Sequence, residues 1–169
     1  MTDSTSTPAP TPASAADLDH LRRAIAVADS ARSHGNHPFG AILVGPDGAV
    51  ALEAENTVVT ESDITGHAET NLVRLAGREI PLDALPGYTL YTSCEPCAMC
   101  SGAIYWSGIG RVVYALPEEA LYALTGDHPE NPTLALPTRT VLAAGSRAID
   151  VSGPHLEKEA AASHEGFWG

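Results

Sequence analysis

From residue 17 to about 33, apolar positions at Leu18, Leu21, Ile25 and Val27 or Ala28 recur at helical spacing, and Gly35 with Pro38 ends the pattern. An amphipathic helix is expected there. Two short apolar runs follow, Phe39-Gly-Ala-Ile-Leu-Val44 and Ala49-Val-Ala-Leu52, on either side of the turn-forming Gly45-Pro-Asp-Gly48, so this stretch predicts a hairpin. Residues 56–66 are polar and read as a loop. Ala68, Leu72, Leu75 and Ala76 then share a helical face up to Gly77, where the helix is expected to stop. Tyr88-Thr-Leu-Tyr-Thr92 has the composition of a strand, and Pro96 suits the opening of a helix running through Ala98, Met99, Ala103 and Ile104 to about Ser107. Arg111-Val-Val-Tyr-Ala115 reads as another strand, residues 118–124 as a short helix, and Ala148-Ile-Asp-Val151 as a last strand before a C-terminal helical segment.

Strands alternating with helices imply an α/β domain, a sheet covered by helices, in which ligands sit beyond strand ends and near helix N-termini. Beyond Met1, the first sixteen residues are Ser, Thr, Pro and Ala with one Asp, too polar and too poor in core-forming side chains to offset the entropy of ordering them. The expected organisation is a flexible tail over 1–16 and one domain over 17–169, with no internal repeat. No apolar run approaches the ~18 residues that span a bilayer, and no secretory signal opens the chain, so a cytoplasmic location and no membrane partner are expected.

Charge narrows the partners. Nine Lys and Arg against twenty-one Asp and Glu give a formal charge of −12, which repels phosphate backbones and leaves few basic residues for a groove. A nucleic acid polymer is therefore not the expected partner. The three cysteines crowd into Cys94-x-x-Cys97-x-x-Cys100, an odd number at a spacing that suits metal binding better than a disulfide framework.

His67-Ala-Glu69 and Pro96-Cys97-Ala-Met-Cys100 together match the H-x-E and P-C-x-x-C signature of zinc deaminases. One imidazole and two thiolates give zinc a borderline-soft donor set with a fourth position open for water. Two cysteines three apart at the start of a helix share a face, and the positive end of the helix dipole favours their ionised form. His67 and Glu69, two apart, would diverge on a regular helix; both address one cavity only if His67 lies at the frayed start. Glu69 would then carry protons from the activated water to a ring nitrogen and on to the leaving amine, a role that requires it not to bind zinc. The alternative is a closed structural site in which Cys94, Cys97, Cys100 and His67 all hold the metal; against it, Cys94 precedes Pro96 and reads as a small buried residue.

With these residues in place the chain resembles the cytidine deaminase superfamily, and within it the bacterial guanine deaminase and nucleoside deaminase branch. The resemblance runs from about residue 18 to 114 and includes Pro38-Phe-Gly40, Asn56, His67-Ala-Glu69 and Tyr91-Thr-Ser-Cys-Glu-Pro-Cys-Ala-Met-Cys-Ser-Gly-Ala-Ile-Tyr-Trp106. It implies a three-layer helix/sheet/helix sandwich on a mixed five-stranded sheet, zinc on His67, Cys97 and Cys100, and a homodimer whose C-terminal segment helps close an active site. It also implies that Asn56 hydrogen-bonds the base, Phe39 stacks on it and the backbone at Ala68 orients it. A second carboxylate near the departing amine is implied as well: Asp127 and Glu130 are the candidates, with Glu130 preferred, and a solvated loop acid is the alternative for both. Phe167 and Trp168 end the chain on two large aromatics, so Trp168 is placed over the substrate as part of a lid, with core or interface packing as the alternative. His34, His37 and His128 have no companions at an interpretable spacing and receive no role.

The activity implied is hydrolysis of guanine to xanthine and ammonia. The same chemistry on another small ring, such as a modified nucleobase, isoguanine, cytosine, an aminotriazine or guanosine, stands beside it, because ring choice rests on pocket shape and a few polar contacts. A non-catalytic, zinc-stabilised binding module is the reading from a different class, and it would have no use for Glu69.

Overall fold

The computed structural model describes residues 12–169; most of the expected tail, residues 1–11, lies outside them. Helix α1 spans Ala15–Ser33 and starts two residues before the expected boundary because Ser14 caps it: Ser14 Oγ accepts from the Asp17 N–H at 3.1 Å, and Asp17 Oδ2 accepts from the Ser14 N–H at 2.8 Å. Strands β1 (Gly40–Val44) and β2 (Val50–Glu55) form the expected antiparallel hairpin. Helix α2 spans Ala68–Glu79, β3 Thr89–Cys94, α3 Ala98–Ser107 and β4 Arg111–Leu116. Then come α4 (Glu118–Thr125), α5 (Thr138–Ala143), β5 (Asp150–Ser152) and α6 (Glu157–Ala162).

The five strands form one mixed sheet in the order β2-β1-β3-β4-β5, with β1 antiparallel to β2 and β3, and β4 parallel to β3 and β5. Because side chains alternate across a strand, each inner strand feeds two cores. Ile42, Val44, Tyr91, Val113 and Ala115 face Leu21, Ile25 and Val27 of α1 and Ala160 of α6. Ala41, Leu43, Leu90, Val112 and Tyr114 face Leu72 and Ala76 of α2, Ile104 of α3 and Leu142 of α5. The chain is thus a three-layer helix/sheet/helix sandwich. Gly40 marks how closely α1 lies on β1: a Cβ there would fall 2.4 Å from the Ala28 nitrogen, so no larger residue fits without moving the helix.

Two expectations change. Helix α2 does not stop at Gly77 but runs to Glu79, and Ile80, before Pro81, turns to an extended conformation at φ −116, ψ 133. Gly77 sits in open space at helical geometry and costs the helix only ~1 kcal/mol, whereas the residue before a proline is pushed out of the helical region. The unforeseen α5 is six residues long, too short for a period, and is held by the neighbours of Thr138 rather than by its own pattern.

Asp17 does more than cap α1. Its carboxylate, buried against the sheet, accepts from Tyr91 Oη at 2.7 Å and from Arg111 Nη1 at 2.6 Å, tying α1 to β3 and β4. Burial alone would raise its pKa, but the Arg111, Tyr91 and Ser14 hydrogen bonds together outweigh it and hold the carboxyl well below the usual range. A lowered folded-state pKa contributes stability that is fully present above the unfolded-state value and fades as pH falls. Replacing Asp17 by Asn should cost about 3 kcal/mol at neutral pH, since it leaves Arg111 partly buried without its partner. In denaturant titrations across pH, the deficit relative to the parent should hold steady above pH ~5 and shrink below ~4; a gap independent of pH would contradict this assignment.

Candidate metal centre and active-site cavity

Two helix starts meet at one end of the sheet. His67 is the N-cap of α2 with an extended backbone, φ −67 and ψ 150, so it lies outside the helix that carries Glu69, and the two side chains serve one cavity. The loop before it is pinned from α2: Asn71 Nδ2 donates to the carbonyls of Glu55 and Gly66 and to Thr57 Oγ1. Cys97 is the N-cap of α3, also extended at φ −63 and ψ 171, and Cys100 follows inside the first turn. The expectation that Cys97 occupies the first turn shifts by one residue, and the reason is the same as for His67: an N-cap projects its side chain ahead of the helix.

Glu95 fixes the approach to α3. One carboxylate oxygen accepts from the Glu118 N–H at 3.1 Å and the other from the Thr138 N–H at 3.0 Å, so a single side chain caps both α4 and α5. Ser101 Oγ adds a 2.8 Å bond to Thr138 Oγ1.

His67 Nδ1 lies 3.7 Å from Cys97 Sγ and 3.6 Å from Cys100 Sγ, and the three ligand atoms fall within 4.8 Å of one another. A tetrahedral ion with bonds of about 2.3 Å to sulfur and 2.0–2.1 Å to nitrogen would place N and S about 3.6 Å apart. The donors therefore fit a zinc-like ion without rearrangement. Cys97 is the more acidic thiol: the hydrogen bond from Cys100 holds it down, assisted by His67, and the shared proton pushes Cys100 up. Cys94 stands apart from this group. It is buried, and its sulfur meets His164 Nε2 at 3.4 Å, which leaves three donors rather than the closed set of four.

Glu69 is buried beside the triangle, accepting from Thr92 Oγ1 at 3.0 Å, with its other oxygen 3.6 Å from Cys100 Sγ. Burial, then the nearby Cys97 charge, raises its pKa above the ordinary carboxylate value. His67, Cys97 and Glu69 line a cavity of about 670 Å³, with Cys100 buried behind them.

Of the residues anticipated for substrate binding, Phe39 and Asn56 line this cavity. Asn56 is buried and its Oδ1 accepts from the Val58 N–H, while Nδ2 makes no bond among the described residues and is available to a ligand. Ala68 is fully buried; as the first residue of α2, its N–H has no acceptor in the helix. Glu130 reaches the cavity wall and bonds to His37, whereas Asp127 is exposed and away from it. Trp168 does not line the cavity: it packs behind it, on His37, Phe39, His128 and His164. Sequence reasoning gave no role to His37, a lone histidine without a ligand spacing. It also missed Glu118, which lines the cavity and whose pKa is pushed up to about 7 by burial and by Glu95. Only the fold brings those residues to the site.

A mixed sheet with histidine- and cysteine-headed helix starts beside a buried carboxylate is an arrangement that can hold a metal ion next to an ionisable group on one cavity. The particular family follows from comparison with known proteins. The profile of the cytidine and deoxycytidylate deaminase zinc-binding region matches residues 14–116, and the chain belongs to this family. A probable cytosine deaminase of Schizosaccharomyces pombe is 47% identical over 152 residues, covering 90% of this chain and 92% of the relative. The guanine deaminase of Bacillus subtilis is 45% identical over 96 residues, 56% of this chain and 61% of that one. Among solved structures, a guanine deaminase from Nitrosomonas europaea superposes with a TM-score of 0.73 at 25% identity, covering 92% of this chain and 86% of that one.

Because metal binding and folding are coupled at such sites, His67→Ala and Cys97→Ala should lose bound metal and melt at a lower temperature than the parent. Cys94→Ala should keep its metal as judged by elemental analysis. Loss of metal from that variant would place Cys94 among the ligands.

Proposed function

We propose that the protein is a zinc-dependent hydrolytic deaminase of a free nucleobase, with guanine converted to xanthine and ammonia. The observation that carries this reading is the buried Glu69 carboxyl lying beside, and outside, the His67/Cys97/Cys100 donor triangle on the wall of one cavity. Zinc bound by those three residues supplies the Lewis acid that makes water nucleophilic near neutral pH. Glu69 takes a proton from the attacking water and gives it to the ring nitrogen beside the reacting carbon. The new C–O bond then persists while the C–N bond breaks, and Glu69 delivers the hydroxyl proton to the departing nitrogen, which leaves as ammonia. Phe39 provides a face for the ring, Asn56 Nδ2 a donor to its polar edge, and the Ala68 N–H a second donor. Glu130 receives the amine side of the base.

Guanine is favoured by the likeness to the guanine deaminases, which in the solved structure extends over most of the fold. Cytosine is the second reading, favoured by the nearly full-length likeness to the fission yeast relative. A small-molecule substrate agrees with the charge of −12. No helix among the described residues is long and apolar enough to cross a membrane.

Ammonia release should be followed with the zinc-loaded protein on guanine, guanosine, adenine, cytosine, isoguanine and aminotriazines. Turnover of guanine is expected, and Glu69→Ala should reduce it by at least about 10²-fold while retaining zinc. Turnover of cytosine with guanine rejected would select the second reading. Activity retained in the metal-loaded variant would remove Glu69 from the mechanism, and no turnover of any base would return the chain to a binding role.

The homodimer belongs to the same proposal. On α3, Met99, Ala103 and Trp106 recur at helical spacing on the outer face, with Trp106 82% exposed and Ile64 85% exposed near the cavity mouth, apolar surface that a second copy would cover. Sedimentation should show a dimer for the parent and a monomer for Trp106→Asp; a dimer in both would move the interface elsewhere.

A further inference from the structure

Glu130 sits on the connection between α4 and α5 with its side chain 63% exposed, a position from which a carboxylate would ordinarily sample many rotamers. Here it is held twice. Its N–H donates to His128 Nδ1 at 3.2 Å, and its Oε2 accepts from His37 Nε2 at 3.1 Å. His37 comes from the connection between α1 and β1 and is itself buried.

Both imidazoles rest on the same indole. The Trp168 ring lies 5.3 Å from that of His37 and 5.3 Å from that of His128, and Phe167 closes on His37 edge-on at 6.0 Å. The indole is in turn fixed: Trp168 Nε1 donates to His164 Nδ1 at 3.1 Å, and His164 Nε2 meets the buried Cys94 sulfur. Arg32 holds the same segment through the Ser163 carbonyl at 2.8 Å.

From this arrangement we infer that His37 and His128 are positioning residues: they set the main chain and the carboxylate of Glu130 against the substrate, and the C-terminal Trp168 holds both histidines in place. His37 supplies a single N–H donor that fixes one carboxylate oxygen, leaving the other oxygen to the departing amine. His128 acts on the backbone as an acceptor, which also sets its tautomer, with Nδ1 unprotonated. Neither histidine contacts the reacting atoms, and neither is a metal ligand.

This inference rests on the role proposed for Glu130, so the test separates the two. Steady-state kinetics of the zinc-loaded protein would be measured with guanine, or with cytosine if that is the base turned over. Melting temperature and zinc content would be recorded for every variant. Glu130→Gln should lower kcat by about 10²-fold if Glu130 serves the reaction. His37→Phe keeps the ring packing and removes the donor; kcat should fall ~10- to 100-fold with KM changed far less, as expected for a misplaced catalytic group. His37→Gln, which returns an N–H at the Nε2 position, should recover most of that loss, and His128→Asn, which returns an acceptor, should outperform His128→Leu. The double variant His37→Phe/Glu130→Gln should be no slower than Glu130→Gln by more than about twofold, because both changes remove one interaction. Normal kcat in Glu130→Gln would overturn the role of Glu130 and this inference with it. A slow Glu130→Gln beside a fully active His37→Phe, or losses that multiply in the double variant, would overturn the inference alone.

Discussion

Three soft donors from two separate helices must converge within 4.8 Å, and most of the architecture around the site serves that requirement. Both His67 and Cys97 are N-caps with extended backbones, and Cys100 follows in the first turn of α3, so all three donors sit at helix starts. The N-cap side chains project ahead of α2 and α3, and unsatisfied N–H groups of both first turns face the same region. That field favours the thiolate of Cys97. The packing of α2 against α3 on one face of the sheet, over Leu72, Ile104 and Val112, is what keeps the two starts in register.

The opposite face has a different task. Helix α1 lies on the sheet closely enough to exclude a side chain at Gly40, and its first turn is locked by Asp17 to Tyr91 and Arg111. Tyr91 and Thr92 are consecutive on β3, so they point to opposite faces: one hydroxyl anchors α1, and the other hydrogen-bonds Glu69. A single strand thus couples the rigidity of the outer helix layer to the orientation of the Glu69 carboxylate.

The fold and the metal triangle were legible from local patterns. Strands and helices announced themselves by period and turn chemistry, and His67, Glu69, Cys97 and Cys100 by spacing within short motifs. The demand that His67 leave the helix for it to share a cavity with Glu69 followed from geometry alone. What could not be read was anything set by contacts between distant segments. His37 and Glu130 are 93 residues apart, and nothing local to either marks the pair. Glu95 looked like one residue of a motif, yet its carboxylate organises two helices. Gly77 does not stop α2, because a glycine ends a helix where the backbone turns left-handed, as Gly108 does at φ 83.

Glu95 also bears on how such a site can change. Since one carboxylate receives the N–H groups of both Glu118 and Thr138, the segment from the first to the second leaves from and returns to nearly the same point. Closing a longer or shorter excursion between fixed ends changes the chain entropy only logarithmically. The segment behaves as a cassette clipped into the scaffold at a single socket. It brings Glu118, Glu130 and Leu134 to the cavity wall and none of the metal donors, so the cavity lining can change there while the His67, Cys97 and Cys100 triangle and Glu69 stay in place.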